Sequence, residues 1–134
     1  MKQEVIERAE LRESPHEPMG AIYVARLRLD GFASLHAGDK PGVVVTRSIK
    51  VTGRHLFVNA NASDGELRAQ IIDAKTGRPL RSHSLDNNVP WKENETCASL
   101  QWRESDDVSA VIDRDVRIEF HLRNAHLYSF WFSD

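Results

Sequence analysis

From Ala21 onward, apolar and polar residues alternate with a period of two, the spacing that buries one face of a β-strand and wets the other. Tyr23, Ala25, Leu27 and Leu29 share a face opposite Arg26 and Arg28, and Asp30-Gly31 closes that run as a turn. The arginines read as the solvated side of this strand. After Phe32–His36 and the tight loop AGDKPG, residues 43–51 set Val43, Val45, Ile49 and Val51 on one face against Val44, Thr46, Ser48 and Lys50. Beyond a turn at 52–54, Leu56, Val58 and Ala60 alternate with His55, Phe57 and Asn59. Past Ser63-Asp64-Gly65, Leu67, Ala69 and Ile71 point inward and Glu66, Arg68 and Gln70 outward.

Lys75-Thr76-Gly77 turns into a short strand at Leu80–Leu85, and Asp86–Glu95 is the longest polar loop. Strand patterning resumes at Ala98–Trp102, at Val116, Ile118 and Phe120, and at Leu127–Phe132. Only Asp106–Ile112 leaves room for a helical turn or two. About eight short antiparallel strands separated by turn signals predict an all-β fold, a β-sandwich of jelly-roll-like type. In the last strand Leu127 and Trp131 lie on one face, with Tyr128, Phe130 and Phe132 on the other. A strand apolar on both faces has to be covered on both. Either the N-terminal segment lies over it, or a neighbouring domain does. Residues 1–20, charge-rich and broken by Pro15 and Pro18, read as a linker or the tail of a preceding element. The sandwich module is expected over 21–134.

Composition narrows the functions. The 134 residues suit a single domain, and a formal charge of −2 lacks the basic footprint that nucleic-acid backbones require. The single cysteine, Cys97, excludes an internal disulfide and a thiolate zinc cage, and reads as a small buried thiol. No stretch approaches the roughly 20 apolar residues of a membrane-spanning helix, so neither nucleic acid nor membrane is an expected partner. The N-terminus has no apolar signal core. Two settings follow: the cytosol, or a secreted or periplasmic protein of which this chain is one part.

No catalytic constellation emerges. Asp30, Asp39, Asp64 and Asp86 sit at turn signals, where carboxylates bond nearby amides, and Glu66 and Glu119 lie on outward strand faces. The histidines show no HExxH or His-x-His spacing: His121 shares a polar face with Arg117 and Glu119, while His83 and His126 look isolated. Neither a nucleophile elbow nor a phosphate-cradling glycine loop occurs. No cofactor or metal is expected; a structural calcium would need oxygens such as those of Asp86, Glu93 and Asp134 to converge. The aromatic residues are the better lead, because a sugar ring stacks its C–H face on an indole while polar side chains bond its hydroxyls. Trp91 sits in the polar loop with Asn87, Asn88, Lys92 and Glu93 around it, and is expected either to hold a sugar or to anchor the loop over the sandwich edge. Trp102 and Trp131 read as core.

Four runs in order, LRLDGFASLHAGDKPG (27–42), HLFVNANASDGELRAQIIDAKTGRPL (55–80), LQWRESDDVSAV (100–111) and VRIEFHLRNAHLYSFWFS (116–133), resemble a bacterial C-terminal β-sandwich module. That module follows a five-bladed propeller in glycoside-hydrolase-like proteins, including ones similar to glycoside hydrolase family 32. The resemblance implies that catalytic carboxylates belong to the preceding domain, so no catalytic residue carries over to this chain. The expectation is therefore a non-catalytic, carbohydrate-associated module of a larger glycoside-hydrolase-like protein. Its partners would be a polysaccharide or oligosaccharide and the catalytic domain of the same polypeptide. The alternative is a purely structural accessory domain that packs against and stabilises that propeller.

Overall fold

The computed structural model describes residues 6–8, 22–105 and 107–134. Most of the expected linker over 1–20 lies outside the described residues. The described residues hold ten strands: β1 (Ile6–Arg8), β2 (Tyr23–Ala25), β3 (Leu35–Ala37), β4 (Gly42–Val45), β5 (Ile49–Lys50), β6 (His55–Asn61), β7 (Glu66–Asp73), β8 (Asn94–Ser99), β9 (Asp115–Arg123) and β10 (Ala125–Ser133). Among the described residues there is no α-helix, only two 3-10 turns at Arg81–His83 and Ser109–Val111. The expected all-β sandwich is what forms.

One sheet runs β3-β10-β6-β8, and the other centres on β9, with β7 along one edge and β4 and β5 end to end along the other; all pairs are antiparallel. β1 and β2 make a separate two-stranded ribbon. The alternating residues of β6, β7 and β9 meet between the two four-stranded sheets. Leu56, Val58, Leu67, Ala69, Ile71, Val116, Ile118 and Phe120 are all fully buried. Phe120 of one sheet reaches Phe130 of the other, ring centres 5.2 Å apart. Each large side chain withdrawn from water here contributes about 1.5–3 kcal/mol.

Two bulges alter the expected facing. Val44 pairs with Phe120 and Ile49 with Val116, so β4–β5 spends five residues where β9 spends four. The Thr46 backbone N–H donates to Ile118 O (2.9 Å), and Thr46 Oγ1 accepts the Ile118 N–H (3.0 Å), a side chain filling the ladder where the extra residue sits. One added residue flips the face. Val44 and Ile49 therefore pack on the core, and Val43 and Val45, expected inside, are 55 % and 50 % exposed. In β10 the register against β6 shifts between Leu127 and Ser129. Leu127, Phe130 and Phe132 all face the core, and Trp131 faces out opposite Phe57.

Three other expectations are corrected. The first run stops at Ala25, because Asp30 takes a left-handed φ of 51° and the Gly31 N–H closes a turn onto Arg28 O; Leu27 and Leu29 are left exposed. Leu80–Leu85 holds a 3-10 turn rather than a strand, with the Leu80 N–H donated to Ile71 O. Cys97 is exposed, not buried.

Candidate functional site

The polar loop is fastened at both ends of its tryptophan. Trp91 exchanges two backbone hydrogen bonds with Leu67 on the free edge of β7 (2.8 and 2.9 Å), and its half-buried side chain packs against the core. Asn88 is fully buried: its Oδ1 accepts the Ala69 N–H (2.9 Å) and its Nδ2 donates to Gln101 O (3.0 Å). Its carboxamide thus stands in for a strand beside β7 and is out of a ligand's reach. Asn87 donates Nδ2 to Arg81 O at 2.8 Å. Of the five residues singled out in this loop, Lys92 and Glu93 alone are exposed. Asp86, Glu93 and Asp134 do not converge, and no group of three or more His, Cys, Asp or Glu side chains is placed to hold a metal among the described residues.

A different aromatic surface lies on the outer face of β6 and β10. Phe57 and Trp131 are cross-strand partners with ring planes 13° apart and centroids 5.8 Å apart, and His55 meets Phe57 edge-on at 6.1 Å. All three are half-buried. Ser99 of β8 stands opposite Phe57 and Ser133 opposite His55, placing hydroxyls beside the rings. The Tyr128 bulge turns Trp131 to this face. No signal in the alternation marks that bulge.

Farther along the same face, the turn at Arg28–Gly31 lays Arg28 across the sheet. Its guanidinium donates to Asn59 Oδ1, Asn94 Oδ1, Glu95 O and Ala60 O, the last at 2.8 Å, and stands 4.9 Å over the Tyr128 ring. Asn59, almost fully buried, returns Nδ2 to Leu29 O at 2.6 Å. Desolvation lowers the Arg28 pKa from its ordinary value, with the nearby Tyr128 acting in the opposite sense. So the arginine expected on a solvated face is a clamp that lies over Tyr128 on β10's outer side.

Beside the clamp, His36 and His126 sit directly opposite each other on β3 and β10, stacked with centroids 4.1 Å apart and planes 20° apart. Ser34 Oγ lies 3.0 Å from His126 Nδ1. Burial, and next the neighbouring His36, push the His126 pKa down. On the other sheet Glu119 Oε1 accepts from Gln70 Nε2 (2.8 Å) and meets His121 Nε2 at 2.6 Å, so that carboxylate is bonded rather than merely solvated. His83, which looks isolated in sequence, is buried between Ser82 Oγ and Asp107 O (2.9 Å each) with its ring edge-on to Trp102. Asp107 itself is held down to about 2, first by the Ser109 hydroxyl and then by the Ser109 N–H.

One cleft of about 400 Å³ opens between the sheets where the three-residue β3 leaves β10 uncovered; Leu35, Val44, Phe120, Leu127 and Phe130 line it. Fold and surface together define a β-sandwich with an aromatic outer face and an apolar edge. The chain matches no family model, no curated protein and no solved structure.

Proposed function

We propose that this domain is a non-catalytic, carbohydrate-associated module that binds glycan on the outer face of β6 and β10. The parallel, half-exposed Phe57–Trp131 pair with Ser99 and Ser133 beside it carries the reading. Stacked on Phe57, the Trp131 indole keeps its other face for a sugar C–H face, and the flanking hydroxyls suit sugar hydroxyls. The site is thereby moved from the Trp91 loop, whose tryptophan and Asn88 are committed to holding the fold. Calorimetry and affinity electrophoresis against a panel of soluble polysaccharides and oligosaccharides test it. Binding to at least one glycan is expected, weakened about tenfold or more, or about 1.4 kcal/mol, by Trp131→Ala. Trp91→Ala should spare the affinity of whatever still folds. Absence of binding across the panel would overturn the proposal.

A second reading, a structural accessory that packs against a catalytic domain of the same polypeptide, draws on a separate observation. Among the described residues, large apolar side chains left exposed are most frequent over 22–32, at Ile22, Tyr23, Val24, Leu27, Leu29 and Phe32, with Leu35, Val43, Val45, Val89 and Ile112 elsewhere. Phe32 is 89 % exposed. Apolar surface concentrated in this way favours a covering partner. Under this reading, Leu29→Ser with Phe32→Ser lowers apolar-dye binding and self-association without touching glycan affinity. Unchanged dye binding and association would count against it.

A further inference from the structure

We infer that His36 and His126 form a two-imidazole site for a divalent transition-metal ion, copper(II) or zinc, on the outer face of the β3–β10 pair. The strand register places them directly opposite each other, where Cβ atoms of antiparallel partners stand about 4.5–5.5 Å apart. Leu35, Ala37 and Leu127 belong to the inward or edge side, so both rings project to the outer face, His36 exposed and His126 half-buried. Their rings already stack at 4.1 Å. Two nitrogens bound to one ion at about 2.0–2.1 Å lie roughly 3 Å apart, and side-chain rotations that turn the rings out of the stack bring their in-plane lone pairs onto one ion.

A neighbouring hydroxyl points the same way. Metal-bound imidazoles use their other ring nitrogen to donate a hydrogen bond that fixes tautomer and orientation. Ser34 Oγ, 3.0 Å from His126 Nδ1, is placed to accept that bond. With the proton on Nδ1, the Nε2 lone pair is free for the metal.

The ligand set chooses the ion. Imidazole nitrogen suits copper, nickel and zinc, with copper bound most tightly in the divalent series, whereas calcium and magnesium require oxygen. Since no third His, Cys, Asp or Glu joins the pair among the described residues, water completes the coordination. The other groups around the pair are Ser34, Tyr128 (ring 6.1 Å from His126) and Arg28 above Tyr128; Asp39 is bonded to Asn124 Nδ2 in the adjoining turn. The Arg28 charge opposes a dication, so affinity should be moderate. A bound ion would tie the short β3 to β10, a role independent of glycan binding.

The test uses the full chain carrying Cys97→Ser, because the exposed thiol is itself a ligand. Copper(II) chloride is titrated with amide NMR spectra as the readout, and zinc, copper and magnesium chlorides are compared by thermal melting. Copper should first broaden residues 34–37 and 125–128. Zinc and copper should raise Tm by about 2–4 °C at saturation, as a ligand specific to the folded state does, and magnesium should not. His36→Gln and His126→Gln should each abolish both effects, and Ser34→Ala should weaken affinity about tenfold. His36 is exposed, so His36→Gln decides the matter if His126→Gln fails to fold. Broadening centred elsewhere, or affinity in His36→Gln within about twofold of the parent, would overturn the inference.

Discussion

β7 and the β4–β5 edge share one partner strand, β9, yet only one of them keeps the pattern its sequence announces. β7 holds unbroken register with β9 from Glu66↔Arg123 to Asp73↔Val116, and its alternation maps directly onto burial. β4 carries three consecutive valines, Val43 to Val45, and the residue added near Thr46 sets which of them turns inward: Val44 rather than Val43 or Val45 enters the core. Alternation reports which residues share a face. Which face is buried depends on register, and at an edge a single side-chain hydrogen bond is enough to reset it.

The largest expected effect is on the β7 side. Ile71 is fully buried, so Ile71→Ala should cost about 2–5 kcal/mol in denaturant unfolding; a loss below about 1 kcal/mol would undo the claim that β7 supplies the core. Next comes the bulge. Thr46→Val keeps the shape but removes the acceptor of the Ile118 N–H, and about 1–2 kcal/mol should be lost, with faster amide exchange at Ile118. No change in that amide would mean the bulge is held by something else.

A smaller effect should appear at the β3 end of the flank as pH falls. The folded state holds His126 below the ordinary imidazole value near 6.5, so the unfolded chain takes up the proton first. Stability is then full above about pH 6.5 and declines as pH drops through that value toward the folded pKa. His126→Gln should flatten this part of the stability–pH profile, and an unaltered slope would remove the stacked pair as its cause. The smallest effect belongs to the β4 residue the pattern placed inside: Val45→Thr should move stability by no more than about 0.5 kcal/mol, since that side chain meets water.

Much of the fold was legible for a physical reason. In β6 and β9 the core face is buried along its whole length, and Leu56, Val58, Ala60, Val116, Ile118 and Phe120 keep strict alternation there. Trp102, read as core, is 2 % exposed. The parts that escaped reading are those where a side chain does a strand's work. Asn88 caps the edge of β7, Thr46 Oγ1 fills a gap beside β9, and Arg28 bridges β6 and β8. Each uses partners 13 or more residues away, and nothing local distinguishes such a side chain from a loop or surface residue. The candidate aromatic face was hidden for a related reason: a bulge at Tyr128 has no compositional mark, so Trp131 reads as core until the register with Phe57 is seen.

The position of β10 also dictates an order of events. It follows the other nine strands in sequence, yet it lies inside its sheet, between β3 and β6. During synthesis, β6 therefore waits with one edge open until residues 125–133 emerge. The sandwich cannot close piece by piece from its N-terminus, and a ribosome stalled shortly before Ala125 would present an unfinished sheet with a free, apolar edge to whatever strand arrives first.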